Sequence, residues 1–356
     1  MSAEAAETVD EAPWDAAVRR GLAFLHRTLD PDGLPSARPA ADPAVRTPLS
    51  GAEARRKLLV ARGVDLGFDP DGEGFSAMWG LVLLAPDSGH PEERELVDAL
   101  ARQVGRFRDR DRYRCFPPGA RFPADTDTTA VALAGLARHG LAEPDHLAAG
   151  VRELLAADTR DTIDPLPIPV YWDEDATPPH GLRYDAVACA NILSALQLPD
   201  ARGELPHPAV GPTIRYVHEH ANGPHSGTRY YPSPEAFLHS AARATVGRPG
   251  LHGPVRQAFV ETAARPPTTA LDLALLTLAA EYLAVEPFWD NGVGSGTDAA
   301  EQAERRRRLV AAQRPDGSWP AAAYFRTGRL PLYFGSAQLS TLFALRALRP
   351  EQPAPR

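Results

Sequence analysis

Two carboxyl groups and three hydroxyl groups precede a long apolar run in FPADTDTTAVALAGLARHG, residues 122–140. Asp125 and Asp127 lie two residues apart, so burial of both would raise the pKa of their carboxyl groups. A buried, protonated carboxyl group that faces an apolar pocket can act as a general acid. The same aspartates could instead cap a helix, because their side chains accept hydrogen bonds from free backbone N–H groups. Both interpretations predict that a helix begins in this stretch.

Two kinds of helix alternate along the chain. The first kind carries apolar residues on one stripe only, strongly at 14–29, 92–107 and 146–157, and more weakly at 212–220, 254–264 and 298–313. The second kind is apolar or small nearly all round and starts at Phe75, Asp125, Tyr184, Ser233, Thr268 and Phe334. A helix without a polar face must be buried on both sides. The second kind is therefore predicted to form an inner ring that the first kind shields.

This alternation predicts an all-α fold, a single (α/α)6 toroid with six inner and six outer helices. The toroid domain is expected to span residues 14–348, with disordered tails at 1–13 and 349–356. Two long proline-rich connections, 33–51 and 161–181, have the length of lids or site walls. For the first of them a disordered insertion is an equal alternative.

Acidic residues collect at the starts of the apolar helices. They are Asp125, Asp127, Asp185, Glu235 and Asp272. In a ring of parallel inner helices these first turns meet at one mouth, which predicts an apolar cavity with an acidic rim and hence a small-molecule site. Taken singly, each acid could also be an N-cap or could compensate the helix dipole.

Composition excludes several classes of function. The 356 residues carry a formal net charge of −8, which argues against nucleic acid as a partner. With only two cysteines, Cys115 and Cys189, a disulfide scaffold is not expected. The acidic N-terminal stretch has no apolar core of a signal peptide, and no apolar run is long enough to span a bilayer. We therefore expect a cytoplasmic protein. The sequence does not set its oligomeric state.

Two motifs carry a resemblance to a known family. QRPDGSW, residues 313–319, is similar to the Gln-x-x-x-Gly-x-Trp repeat of squalene–hopene and oxidosqualene cyclases. DTDTTA, residues 125–130, resembles the Asp-x-Asp-Asp-Thr-Ala motif of class II terpene cyclases, with Thr128 where that motif has its third aspartate. Segments from Tyr184, Thr228 and Tyr333 also resemble bacterial proteins of the prenyltransferase and squalene-cyclase repeat group. The resemblance covers residues 14–348 and implies one α/α toroid.

The resemblance implies a class II cyclisation, which begins when an acid protonates an alkene or epoxide. Asp127 matches the catalytic acid, Asp125 would tune its pKa, and the hydroxyls of Thr126, Thr128 and Thr129 would fix which oxygen carries the proton. The expected substrate is a small hydrophobic isoprenoid. The faces of aromatic side chains would stabilise the carbocation that forms on it. The predicted substrate-binding residues are Trp79, Tyr184, Asp185, Asn191, Tyr231, Glu235, Phe237 and Phe334. Tyr230 is a further aromatic candidate, and ordinary core packing is the alternative for each ring.

Three alternatives stay open. Protein prenyltransferases share this fold and bind zinc through an Asp-x-Cys pair and a histidine, for which Asp185, Cys189 and His239 are the nearest match. Ionisation-type terpene synthases need an Asp-Asp-x-x-Asp motif, which the acidic segment 172–177 does not match. We expect no metal and no cofactor, Mg²⁺ entering only with a diphosphate substrate. The toroid could also be a binding scaffold without catalysis, in which case Asp127 would be exposed and the cavity filled.

Overall fold

The computed structural model describes residues 14–86, 90–157, 165–172, 183–199, 206–284 and 299–349. The tails 1–13 and 350–356, and most of the proline-rich connection at 161–181, lie outside these residues. The α-helices in the described part are α1 Asp15–Thr28, α2 Gly51–Arg62, α3 Phe75–Leu83, α4 Pro91–Gly105, α5 Thr126–Arg138, α6 Pro144–Ala156, α7 Ala186–Ala195, α8 Val210–Ala221, α9 Pro234–Thr245, α10 Pro249–Ala263, α11 Ala270–Ala284, α12 Ala299–Ala311 and α13 Ala337–Leu348.

Six of these helices close into an inner ring. Helix α3 packs on α5, α5 on α7, α7 on α9, α9 on α11, α11 on α13, and α13 returns to α3. They are the six segments that the sequence marks as apolar all round, and nearly every residue of α3, α7 and α11 is buried. Helices α1, α4, α6, α8, α10 and α12 pack outside them. The predicted single (α/α)6 toroid is confirmed.

Helix α2 is an addition to the twelve predicted helices. It begins directly after the proline-rich connection, and Ser50 and Glu53 form a reciprocal capping box at its start. Its last turn exposes Leu59 and Val60. The helix buries only a narrow face, so the amphipathic pattern of its sequence is weak. For this reason the periodicity of apolar residues did not distinguish the segment from a loop.

Short strands hold the chain segments at one end of the ring. Strand β1 (Arg38–Ala40) pairs with β5 (Tyr333–Gly335), which pairs with β4 (Phe325–Arg326), all antiparallel. Strands β2 (Arg108–Asp109) and β3 (Arg112–Tyr113) form a separate hairpin. The register places Phe325 opposite Phe334, and their rings stack with centroids 4.8 Å apart. These strands fix the loop residues that lie beside the candidate site.

The glutamine–tryptophan motif ties an outer helix to its neighbours. Gln313 Nε2 donates to the carbonyl oxygens of Ala17 in α1 (2.8 Å) and Gly317 (3.0 Å). Trp319 is fully buried, and its indole N–H donates to the Leu309 carbonyl of α12 at 2.7 Å. Gly317 has φ +90°, and a Cβ there would lie 2.3 Å from the Arg20 carbonyl oxygen, so glycine is required. The motif thus acts on the fold, as the sequence predicted.

Candidate active site

The first turn of α5 is capped by the first of the two aspartates. Asp125 has an extended backbone, and its carboxylate accepts hydrogen bonds from the Thr128 N–H (2.7 Å) and the Thr128 hydroxyl (2.7 Å). The neighbouring Thr126 N–H donates to the Val170 carbonyl at 2.8 Å, which holds the segment before α7 against this turn. The capping interpretation of Asp125 is therefore correct. The Asp127 carboxyl does not cap the helix and is available for another role.

The threonine hydroxyls do not bind Asp127. Thr126 donates to the Pro169 carbonyl, Thr128 donates to Asp125, and Thr129 accepts from the Tyr113 N–H at 2.9 Å. Residues one or two positions apart on a helix point in different directions, so these side chains face away from Asp127. The expectation that they select the protonated oxygen of Asp127 is wrong.

Two residues from neighbouring inner-ring segments hold the Asp127 carboxyl instead. Asn191 in α7 donates from Nδ2 to Oδ1 at 2.8 Å, and the Tyr231 hydroxyl, just before α9, donates to Oδ2 at 2.5 Å. An amide N–H₂ can only donate, so Oδ1 must accept in either protonation state. A hydroxyl can also accept. The proton of a neutral Asp127 therefore belongs on Oδ2, next to Tyr231.

A third side chain fixes the Asn191 amide. Arg243 in α9 donates from Nη1 to Asn191 Oδ1 at 3.3 Å, which directs the amide N–H₂ towards Asp127. The same guanidinium lies over the Trp79 ring, 5.0 Å from its centroid. Asn191 is buried, so both ends of its amide must find partners within the protein. The chain Arg243–Asn191–Asp127 thus sets the orientation of the acid.

Burial changes the acidity of both aspartates. The pKa of Asp127 is raised to about 7, mainly by burial and in second place by the nearby charge of Asp125. The bonds from Asn191 and Tyr231 act in the opposite direction. Burial also raises the pKa of Asp125 to about 6, against the lowering effect of its bonds from Thr128. A substantial share of Asp127 is therefore protonated near neutral pH.

A turnover that depends on protonated Asp127 must fall as pH rises through about 7. We expect kcat to show this descending limb. In Asp125→Asn a neighbouring charge is lost, so the limb should move to lower pH.

Unfolded carboxyls titrate near 3.9, so the raised folded pKa also predicts that stability contributed by Asp127 is lost as pH rises from about 4 to 7. Rate profiles from about pH 5 to 9 measure the descending limb, and thermal unfolding followed by circular dichroism from about pH 4 to 7 measures the stability. A flat profile would contradict the assignment.

An apolar cavity of about 590 Å³ has Asp127 in its wall. Its volume falls within the range of about 300–1,000 Å³ that is usual for ligand sites. The wall is mostly aromatic and aliphatic, formed by Leu66, Phe68, Phe75, Phe116, Phe122, Val170, Tyr171, Tyr230, Tyr231, Phe325 and Leu330. Asp127 is only 7% exposed, so it contacts this cavity and little bulk water. The site thus places a buried acid beside a largely aromatic wall.

Sequence reasoning missed most of these aromatic residues. Phe68, Phe116 and Phe122 form one cluster with ring centroids 5.1–5.5 Å apart, and Phe325 packs edge-on against Phe75 at 5.6 Å. Phe75 and Phe325 belong to regular elements, whereas the cluster of three lies between helices. Loop residues have no periodicity that points to a shared surface. The one available signal is the density of aromatic residues in the loops that precede α3 and α5.

The predicted substrate-binding residues lie in several places. Tyr231 lines the cavity and Asn191 contacts Asp127 directly. Trp79 and Phe334 are fully buried behind the wall, packed against Phe75 and Phe325 respectively.

The remaining candidates lie away from the apolar cavity. Tyr184 and Asp185 line an adjacent polar cavity of about 510 Å³. Glu235 bonds with the Ser233 hydroxyl at 2.7 Å, and Phe237 packs on His220. Asp272 is bonded by the Thr268 and Thr269 hydroxyls at the start of α11. The first turns of the inner helices therefore carry acids as expected, but only those of α5 reach the apolar cavity.

The three residues considered for zinc do not meet as a ligand set. Asp185 caps α7 through the Val187 N–H at 2.9 Å, the Cys189 thiol points to the Ile168 carbonyl, and His239 packs between Trp79 and Phe343. In the described ranges, no group of three or more His, Cys, Asp or Glu side chains is arranged to hold a metal ion. Nor does any helix there combine the length and hydropathy needed to cross a bilayer.

Solved structures share the toroid along nearly its whole length. A variant of the type II terpene cyclase MstE from Scytonema, in complex with its substrate geranylgeranyl dihydroxybenzoate, superposes with a TM-score of 0.63 at 13% identity, covering 94% of this chain and 96% of that one. A protein from Actinoplanes gives 0.60 at 17%, covering 94% and 98%. The chain therefore shares the α/α-toroid fold of these proteins.

A curated relative extends the likeness to sequence. The drimenol cyclase drtB of Aspergillus calidoustus is 30% identical over 233 residues, which are 64% of this chain and 38% of that protein. The chain thus matches well under half the length of that relative. No family model matches the chain. The motifs at 125–130 and 313–319 resemble those of terpene cyclases, and these comparisons also find similarity to terpene cyclases.

Proposed function

We propose that this toroid is a class II terpene cyclase that acts on an isoprenoid in its apolar cavity, with Asp127 as the general acid. The observation that carries the proposal is a buried carboxyl, its pKa raised to about 7, in the wall of an aromatic cavity. A scaffold would leave Asp127 exposed and the cavity filled, whereas the cavity here is open to a ligand. The superfamily likeness, which includes a cyclase bound to a prenylated substrate, supports the same conclusion.

The reaction would begin at Oδ2 of Asp127. Its O–H bond breaks as the π electrons of the substrate's terminal alkene form a C–H bond, which leaves a tertiary carbocation on the substrate and a carboxylate on Asp127. Internal alkenes then attack in turn and close rings. Loss of a C–H proton ends the sequence and makes the product an isomer of the substrate. A proton from solvent restores Asp127 and is balanced by the proton that the substrate releases, so the reaction needs no co-reactant.

The aromatic wall would protect the cation. Phe75, Phe325 and Tyr231 line the cavity together with Asp127. A cation over such a face is stabilised by about 0.5–2 kcal/mol per ring, more where water is excluded. Exclusion of water also prevents early capture of the cation. Because the cavity is small, a limited cyclisation fits it better than a long polycyclisation.

Product analysis of the purified protein tests this function. We expect incubation with acyclic farnesyl and geranylgeranyl substrates, as diphosphates and as neutral alcohols, to yield a cyclic isomer of unchanged mass with at least one of them. Gas chromatography with mass spectrometry, after phosphatase treatment of the diphosphates, separates the isomers. Heat-denatured protein is the control. If no cyclic isomer forms from any of these substrates, or if inorganic pyrophosphate appears in step with product, the proposed function is wrong.

A further inference from the structure

Five arginines line the apolar cavity together with the aromatic residues. They are Arg121, Arg183, Arg229, Arg326 and Arg329. All except Arg121 also line the adjacent polar cavity, beside Tyr184, Asp185 and Tyr216. The guanidinium groups therefore lie where an apolar cavity meets a polar one. They form a cationic surface, whereas the wall near Asp127 is aromatic.

The charge of four of these five arginines is not balanced by an acid in the described part of the chain. Arg121, Arg229, Arg326 and Arg329 form no ion pair with any acid in the part of the chain that the structure describes. Arginines elsewhere are commonly paired, as in Arg55–Asp65, Arg112–Glu153 and Arg349–Glu93. Asp185, which lines the polar cavity, is bonded by backbone N–H groups of α7 and of Tyr230. In a chain of net charge −8, such a concentration of cations indicates an anionic ligand.

Part of the cluster is already held in place. Arg326 donates from Nε to the Arg229 carbonyl (3.0 Å) and from Nη2 to the Thr228 carbonyl (2.6 Å). These acceptors are neutral, so they orient the guanidinium without cancelling its charge, and Nη1 has no partner among the described residues. The Arg229 guanidinium lies 3.9 Å from the position of a Cβ on Gly328. The Arg326 guanidinium is thus held against the 228–229 segment, and that of Arg229 lies beside the turn that follows β4.

We propose that the arginine cluster binds the diphosphate of an acyclic prenyl diphosphate, whose hydrocarbon tail enters the apolar cavity and reaches Asp127. Planar guanidinium groups match phosphate oxygens with paired hydrogen bonds. A diphosphate spreads several charges over its terminal oxygens and uses several arginines, whereas a single carboxylate uses one or two. The inference rests on the proposed function, and it adds that the headgroup is bound far from the acid and keeps its C–O bond.

Binding to the Asp127→Asn protein tests the inference, because this background should hold substrate without converting it. We expect farnesyl diphosphate, in isothermal titration calorimetry, to bind at least 100-fold more weakly when Arg229→Gln and Arg329→Gln are added together. A charged hydrogen bond of about 1.5–3 kcal/mol corresponds to roughly tenfold or more per arginine. Inorganic pyrophosphate should lose its binding likewise, and farnesol should be unaffected. Arg307→Gln on the outer helix α12, where Arg307 pairs with Glu304, is the matched control.

The outcomes separate this inference from the proposed function. Unchanged farnesyl diphosphate affinity in the double variant, or tighter binding of geranylgeranyl dihydroxybenzoate than of geranylgeranyl diphosphate, overturns the arginine assignment while cyclisation by Asp127 can still be observed. Arginine-dependent binding of farnesyl diphosphate without any cyclic product in the parent protein supports the headgroup site and contradicts the cyclase.

Discussion

Asp127→Asn is expected to abolish cyclic product while the protein stays folded. Asparagine keeps the size of the side chain and can still bond with Asn191 and Tyr231, but it has no acidic proton to give. General acid catalysis is commonly worth about 10²–10⁴-fold. An alkene has no other route to its cation at neutral pH, so we expect a loss of about 10⁴-fold or more. Product formation under single-turnover conditions measures it.

Asp125→Asn is the matched control for this substitution. Asparagine caps a helix nearly as well as aspartate, so the midpoint of thermal unfolding should stay close to that of the parent protein. Its activity should fall far less than that of Asp127→Asn, because Asp125 acts only through the pKa of its neighbour. Equal losses in the two variants, or an active Asp127→Asn protein, would show that Asp127 is not the proton donor.

Asn191→Ala is expected to reduce kcat by about 100-fold with little change in KM. The amide holds Oδ1 of Asp127 at 2.8 Å and is itself oriented by Arg243. A reacting group displaced by about 1 Å can lose about 10²-fold in rate. In the parent protein the hydrogen bond from Asn191 lowers the pKa of Asp127. Its loss in Asn191→Ala should raise that pKa and shift the descending limb of kcat to higher pH.

Ser194→Ala controls for a general disturbance of α7. The Ser194 hydroxyl bonds only to the Ala190 carbonyl of its own helix, at 3.0 Å. We expect parental kcat and an unchanged pH profile in this variant. A purely structural role for Asn191 would lower stability without moving the pH limb, and a parental kcat in Asn191→Ala would remove it from the positioning of Asp127.

The alternation of helix types was sufficient to predict the toroid. A helix such as α11 has no polar face, and burial on both sides is the only stable outcome, so its place in the inner ring follows from sequence. Helix α2 was missed because its buried face is narrow. The sequence could single out Asp127, Asn191 and Tyr231 as candidate site residues, but it could not predict that they contact one another. That contact depends on which inner helices become neighbours.

The arginine cluster could not be found from sequence at all. Its members come from four separate segments, around residues 121, 183, 229 and 326–329, and none of these segments is rich in arginine. The one arginine run that the sequence does show, residues 305–308, lies on the outer helix α12, where Arg305 pairs with Glu301. Charge that is contiguous along a helix is usually spread over a solvated face, whereas charge that converges on a cavity is assembled by tertiary packing.

Cyclisation in D₂O tests the central claim most directly. If Asp127 starts the reaction by protonating an alkene, its proton comes from solvent and stays in the product on carbon. Mass spectrometry of the cyclic product from an all-alkene substrate such as farnesyl diphosphate should then show one deuterium per molecule, in a C–D bond that survives extraction into H₂O. A cyclic product without deuterium would mean that ring closure begins by another route, and the assignment of Asp127 as the initiating acid would be wrong.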